Sequence, residues 1–155
     1  GRFAERLGLL AEAKPARFRD DAAAARAVLL LHSAIAGRPG PDEGVPEHQL
    51  PLHKLLCGLP LDRPLSAIEP LTDAEHDEAE ALLRAVIAQA PILRNQSSAG
   101  FRRSFGCRAG QLSARDGHGL LRVERQPWDV VLDRLPWGFG IVRLPWMPRL
   151  LQVEW

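Results

Sequence analysis

Cysteine is scarce: Cys57 and Cys107 are the only two in 155 residues. Neither falls in a Cys-x-x-Cys or Cys/His ligand spacing, which argues against a disulfide framework and a zinc site. Buried free thiols are the expectation, and they suit a reducing compartment during folding. Charge of one sign is scarce too. The net charge is +1, so no global field recruits nucleic acid or an acidic membrane. No apolar run reaches the roughly 18–20 residues that cross a bilayer, and no signal-peptide pattern stands at the start. Glycine-rich phosphate loops, Gly-x-Ser-x-Gly elbows and paired-carboxylate signatures are missing as well. The chain opens on Gly1-Arg2-Phe3 without Met, which reads as a piece of a longer protein.

What is present is an ordinary globular composition, 46% hydrophobic and 25% charged, at a length that suits one domain over residues 1–155. Thirteen prolines and thirteen glycines call for many turns. Residues 3–13 have helical apolar spacing. Asp20 and Asp21 then open a helix over 22–36, closed by Gly37. Seven prolines between Pro39 and Pro70 exclude long helices there. The apolar run 52–59 nevertheless predicts two helical turns that pin the segment. Thr72-Asp73-Ala74-Glu75 is a capping box opening a helix to about Gln89, with a stripe of Ala79, Leu82, Leu83, Val86, Ile87 and Ala90. A further helix is expected from Ser97 or Ser98 to Gly110, with Phe101 and Phe105 one turn apart.

Beyond Gly110 the period changes to two. Leu121 and Val123 alternate with Arg122 and Glu124, and Leu151, Val153 and Trp155 alternate with Gln152 and Glu154. Asp116-Gly117 is a strong short-range hairpin signal. The expected fold class is α+β: a mainly helical part over 1–110, then a small antiparallel β-sheet and a Trp/Pro-rich end over 111–155.

Chemistry-bearing residues are few. His48 and His53 are five apart with Pro51 between them, so they do not share a helix face as metal ligands. His53 and Cys57 stand four apart, which permits a thiolate–imidazole pair, but no orienting third group follows. No catalytic residue, metal or cofactor is expected. Between Ala81 and Arg115 lie six arginines and no acid. Phosphate binding is conceivable there, but pairing with the acidic turns of the preceding helix or with an acidic protein is the favoured reading, with Arg102 and Arg103 as interaction candidates.

All four tryptophans, Trp128, Trp137, Trp146 and Trp155, fall in the last 28 residues. Two stand in Leu-Pro-Trp triplets. Together with QLPLHKLLCGLPL at 49–61 and the block 81–112, the closing RVERQPWDVVLDRLPWGFGIVRLPWMPRLLQVEW resembles the tape measure proteins of bacterial contractile injection systems. The similarity runs from about residue 20 to residue 155, in family order. One departure is Ala90-Pro91, where the family tends to carry Trp.

The resemblance implies a non-enzymatic structural component of a phage-tail-like particle, here its carboxy-terminal domain. It implies assembly in the bacterial cytoplasm and a place within the finished particle, with release from it left open. Partners would be inner-tube, cap or baseplate proteins, with room for self-association and without nucleic acid. A general protein-binding module is the alternative, and a hydrolase using Cys57 and His53 a further one. Trp137, Trp146, Met147 and Trp155 are the interaction candidates at this end, Trp155 foremost because a terminal strand would offer a free edge. Removal of 147–155 is expected to abolish incorporation into particles or to misset tube length.

Overall fold

The computed structural model describes residues 2–12, 14–40, 43–65, 67–135, 138 and 140–155. Helix α1 spans Arg2–Arg6 and stops early. Gly8 takes φ 64°, and the amides of Gly8 and Leu9 turn back to the carbonyls of Glu5 and Ala4. That is a Schellman stop, so the helix expected over 3–13 ends where glycine alone accepts the left-handed turn without strain. The chain then doubles back through a bridge between Leu10 and Phe18.

Helix α2, Asp21–Ala36, starts as expected, with the Asp20 carboxylate accepting the amide of Ala23. Its run of alanines lets neighbours close in on several faces, and ten of its residues are buried. The described residues of the proline-rich stretch hold regular turns. A 3₁₀ turn at Glu47–Gln49 leads into α3, Pro51–Leu56, where Pro51 occupies a first-turn position that needs no amide proton. Gly58, at φ 72°, closes α3 by the same Schellman pattern. Lys54 is buried, and its ammonium meets Glu47 at 2.6 Å. Glu47 also accepts the amide of Leu65, which fastens the 60s loop back onto α3.

Helix α4, Asp73–Gln89, opens on the expected capping box, in which Thr72 and Glu75 satisfy each other's amides. Ala79 belongs to a first buried cluster built with α2, α3 and the proline-rich loop. Leu83, Ile87, Ala90 and Leu93 form a second, covered by Phe101, Phe105, Val131 and Leu135. Ala90 is fully buried within this second cluster.

The helix expected to reach Gly110 is much shorter. Helix α5 is Ser98–Phe101, capped by Ser97, and passes into a π turn at Arg102–Gly106. A side chain on Gly106 would stand 3.1 Å from the carbonyl of Ile35, so this turn is pressed against the end of α2. Strand β1 therefore begins at Gly110 and runs to Arg115, followed by β2 at His118–Val123, β3 at Ile141–Val142 and β4 at Leu151–Glu154. Asp116 and Gly117 both adopt positive φ, 51° and 79°, as a two-residue primed turn requires.

The sheet order is β1-β2-β4-β3. The hairpin and the β3–β4 pair are antiparallel, but β2 and β4 run parallel, so the sheet is mixed. The connection returning from β2 to β4 contains an eight-residue 3₁₀ helix, Pro127–Arg134, and both Leu-Pro-Trp triplets. The alternation read from the sequence is realised: Leu112, Leu121 and Val153 are in register on one face, and Gln111, Arg122 and Glu154 on the other.

Candidate functional site

Trp146 is half-buried between the sheet and the first cluster. Its indole N–H donates to the Leu56 carbonyl at 2.9 Å, and its ring lies 4.8 Å from that of Phe18. A Cβ on Gly58 would come within 2.6 Å of the Trp146 carbonyl. Met147, next in the chain, is only 4% exposed and accepts the Leu144 amide on its sulfur. These two interaction candidates therefore close the protein's own interior; Met147 offers no surface to a partner. Trp137 lies outside the described residues.

Trp155 is 45% exposed, with the guanidinium of Arg108 5.7 Å from its ring centre. The free-edge reason for choosing it fails. Strand β4 lies between β2 and β3, and the open edges belong to β1 and β3. Removing 147–155 would take out a central strand and a buried methionine, so such a deletion reports on folding.

Arg108 also grips Asp129 through both terminal nitrogens, at 2.6 and 2.9 Å, with side chains 9% and 4% exposed. Burial pushes the Asp129 carboxyl upward, but hydrogen bonds from Arg108 and the Gln126 amide, with the charges of Arg108 and Arg125, outweigh it and hold the group below the usual range. Asp129 sits at the third position of the 3₁₀ helix, receiving the Gln126 amide at 2.7 Å. Gln126-Pro127 before Asp129 was the sequence signal for this helix, a cap followed by proline at the first position. Trp128 and Val130, on either side of Asp129, are 46% and 58% exposed, and Trp128 donates to the Ser104 carbonyl at 3.1 Å. An indole, an isopropyl group and the final Trp155 are thus gathered around one sealed ion pair.

The arginine run divides. Arg102 is a staple: it donates to the Ala34 carbonyl at 3.0 Å and to Glu80 at 2.6 Å, and Arg84 meets Glu80 at 3.4 Å. Pairing with the acids of the preceding helix is what these two do. Arg103 stands exposed.

The Cys57–His53 pair has the wrong electrostatics for a nucleophile. Burial pushes the Cys57 thiol up to about 12. Burial, and then the neighbouring His32 ring 5.6 Å away, lower His53 to about 4, against a raising hydrogen bond to Gln49. The nitrogen so placed accepts a proton poorly, and the sulfur holds its own.

Two concavities among the described residues bear on function. A polar one, lined by Ser33, Arg38, His76, Asp77, Glu80 and Arg102, is closed on itself by Arg38–Asp73, Arg102–Glu80 and a 2.7 Å bond between Ser33 and His76. The other is an apolar cleft of about 320 Å³ between α2 and the proline-rich loop, with Glu43 at its wall.

A family model described as contractile injection system tape measure protein matches residues 1–155. No curated protein and no solved structure matches the chain.

Proposed function

We propose a role that starts from a plain premise: this chain belongs to the contractile injection system tape measure protein family. Members are structural components of the particle. The finer reading is that residues 1–155 act as one carboxy-terminal assembly unit, holding protein against protein during construction of the inner tube and the setting of its length. Its partners on this reading are tube, cap or baseplate proteins, met in the bacterial cytoplasm where the particle is built.

The observation that carries the reading is the exposed group Trp128, Val130 and Trp155 around the buried Arg108–Asp129 pair. Rigid aromatic anchors beside a sealed polar contact lose little side-chain entropy on binding, which is what interface hot spots require. Trp128 and Val130 stand on a short 3₁₀ helix, and Trp155 directly follows the central strand β4, its ring beside the guanidinium of Arg108.

Val130→Asp combined with Trp155→Ala tests it. The expected result is a folded chain that fails to enter particles, or particles with tubes of altered length. Normal particles carrying the double variant would refute the assignment.

A further inference from the structure

Charge is not spread evenly along this chain. Residues 1–80 hold fourteen Asp and Glu against nine Lys and Arg, a net of −5; residues 81–155 hold eleven Arg against five acids, a net of +6. The overall +1 conceals two opposite surpluses. Much of the first half's acid is spent internally, as in Arg26–Glu75, Arg38–Asp73 and Arg63–Asp21. Asp62 and Glu69 stay exposed without an ion-pair partner among the described residues, and so, in the second half, do Arg134, Arg143 and Arg149.

The acidic half also contains the cleft. Its walls are Leu29, Val45, Leu50, Leu65, Ile68 and Leu71. Glu43 stands at the wall, and Glu69 falls in sequence between the lining residues Ile68 and Pro70. His32, 6% exposed, lines it too, and its Nδ1 has no hydrogen-bond partner among the described residues. An apolar slot with an acidic lip accepts an aliphatic side chain flanked by a cation. The basic half presents one. Ile141 is 69% exposed on β3, an open-edge strand, with Arg143 two residues on.

We propose that the chain associates head to tail with a second copy, the β3 edge of one chain, bearing Ile141 and Arg143, seating in the acid-lipped cleft of the next. Charge selects this arrangement over its rivals. A two-fold dimer through the β1 or β3 edges would face two like-charged halves. A nucleic acid drawn to the arginines would meet the surplus acid of the first half, and it has nothing to fill an apolar slot. A heterologous contact of this kind does not use up its own surfaces, so association continues beyond two chains unless a ring closes. This inference is independent of incorporation into particles, because its readout is the chain alone in solution.

Sedimentation velocity on the 155-residue chain tests it. Species larger than a dimer are expected at about 50 mM salt, with apparent affinity falling at least about tenfold by about 500 mM. Arg143→Glu and, separately, Glu43→Lys should each remain monomeric. Mixed in equal amounts they should associate again, and beyond a pair, since the unchanged edge of one fits the unchanged cleft of the other and the two reversed charges attract each other. Ile141→Asp, at an exposed position, supplies a third monomeric variant should either reversal disturb folding, judged by the thermal midpoint. A wild-type chain that is monomeric at low salt overturns the proposal. So do single variants that associate like wild type, a mixture that stays monomeric, or a monomer that instead retains an oligonucleotide.

Discussion

The indole N–H of Trp146 reaches the carbonyl oxygen of Leu56, 2.9 Å away and 90 residues earlier in the chain. Leu56 ends α3, where its carbonyl lacks a helical partner, and the indole supplies one. Trp146→Phe should cost about 1 kcal/mol for the lost bond. Trp146→Ala should cost about 2–4 kcal/mol, since the ring also packs on Phe18. Gly58→Ala should exceed the usual ~1 kcal/mol of a left-handed glycine, because the added methyl collides with the Trp146 backbone. Urea unfolding of the three variants measures all of this.

Arg108 and Asp129 are both nearly sealed from water, so loss of one strands the other. Arg108→Met should destabilise by about 3–5 kcal/mol, and the double variant Arg108→Met/Asp129→Leu by much less. A double-mutant cycle reads the coupling. Additive losses would show that the pair is not a unit.

Acid should weaken the fold in two stages. His53 is held at about 4 against 6.5 in the unfolded chain, so the unfolded state binds the extra proton between these values. Stability is therefore complete above about 6.5 and falls as pH drops toward 4, by on the order of 3 kcal/mol. Glu75 behaves as a depressed carboxylate. The Arg26 hydrogen bond is the chief cause, and the group sits at about 2 against 4.5, so its contribution disappears as pH falls from 4.5 toward 2. His76, also lowered by burial, shares the first stage, so His53→Gln should lessen that stage and leave the second unchanged in a series of denaturation midpoints against pH.

Thiol labelling should separate the two cysteines. Cys107 is exposed and should react promptly, while Cys57 is buried with its thiol pushed up to about 12 and should wait for unfolding. An alkylation rate at Cys57 that rises around neutral pH, independent of denaturant, would contradict the buried-core assignment and revive a thiol enzyme.

The sequence was most informative where a local rule decides the outcome. Asp20 and Thr72 cap helices, and Asp116-Gly117 turns a hairpin, because each needs only its neighbours within a few residues. It was least informative where the deciding contact lies far away. The π turn after Phe101 depends on Gly106 meeting Ile35, and the parallel pairing of β2 with β4 depends on a connection that no period encodes. The Pro127–Arg134 helix did leave a signal, in Gln126-Pro127 and Asp129. The fate of the tryptophans did not: Trp146 turns inward because Phe18 and Leu56 are there to receive it, and Trp128 stays outside.

Hydroxyl-radical footprinting of the chain, free and within assembled particles, tests the central claim most directly. Oxidation at Trp128, Val130 and Trp155 should drop on assembly, with Trp146 and Met147 protected in both states. Equal labelling of the first three residues, free and assembled, would contradict an aromatic end that binds a partner.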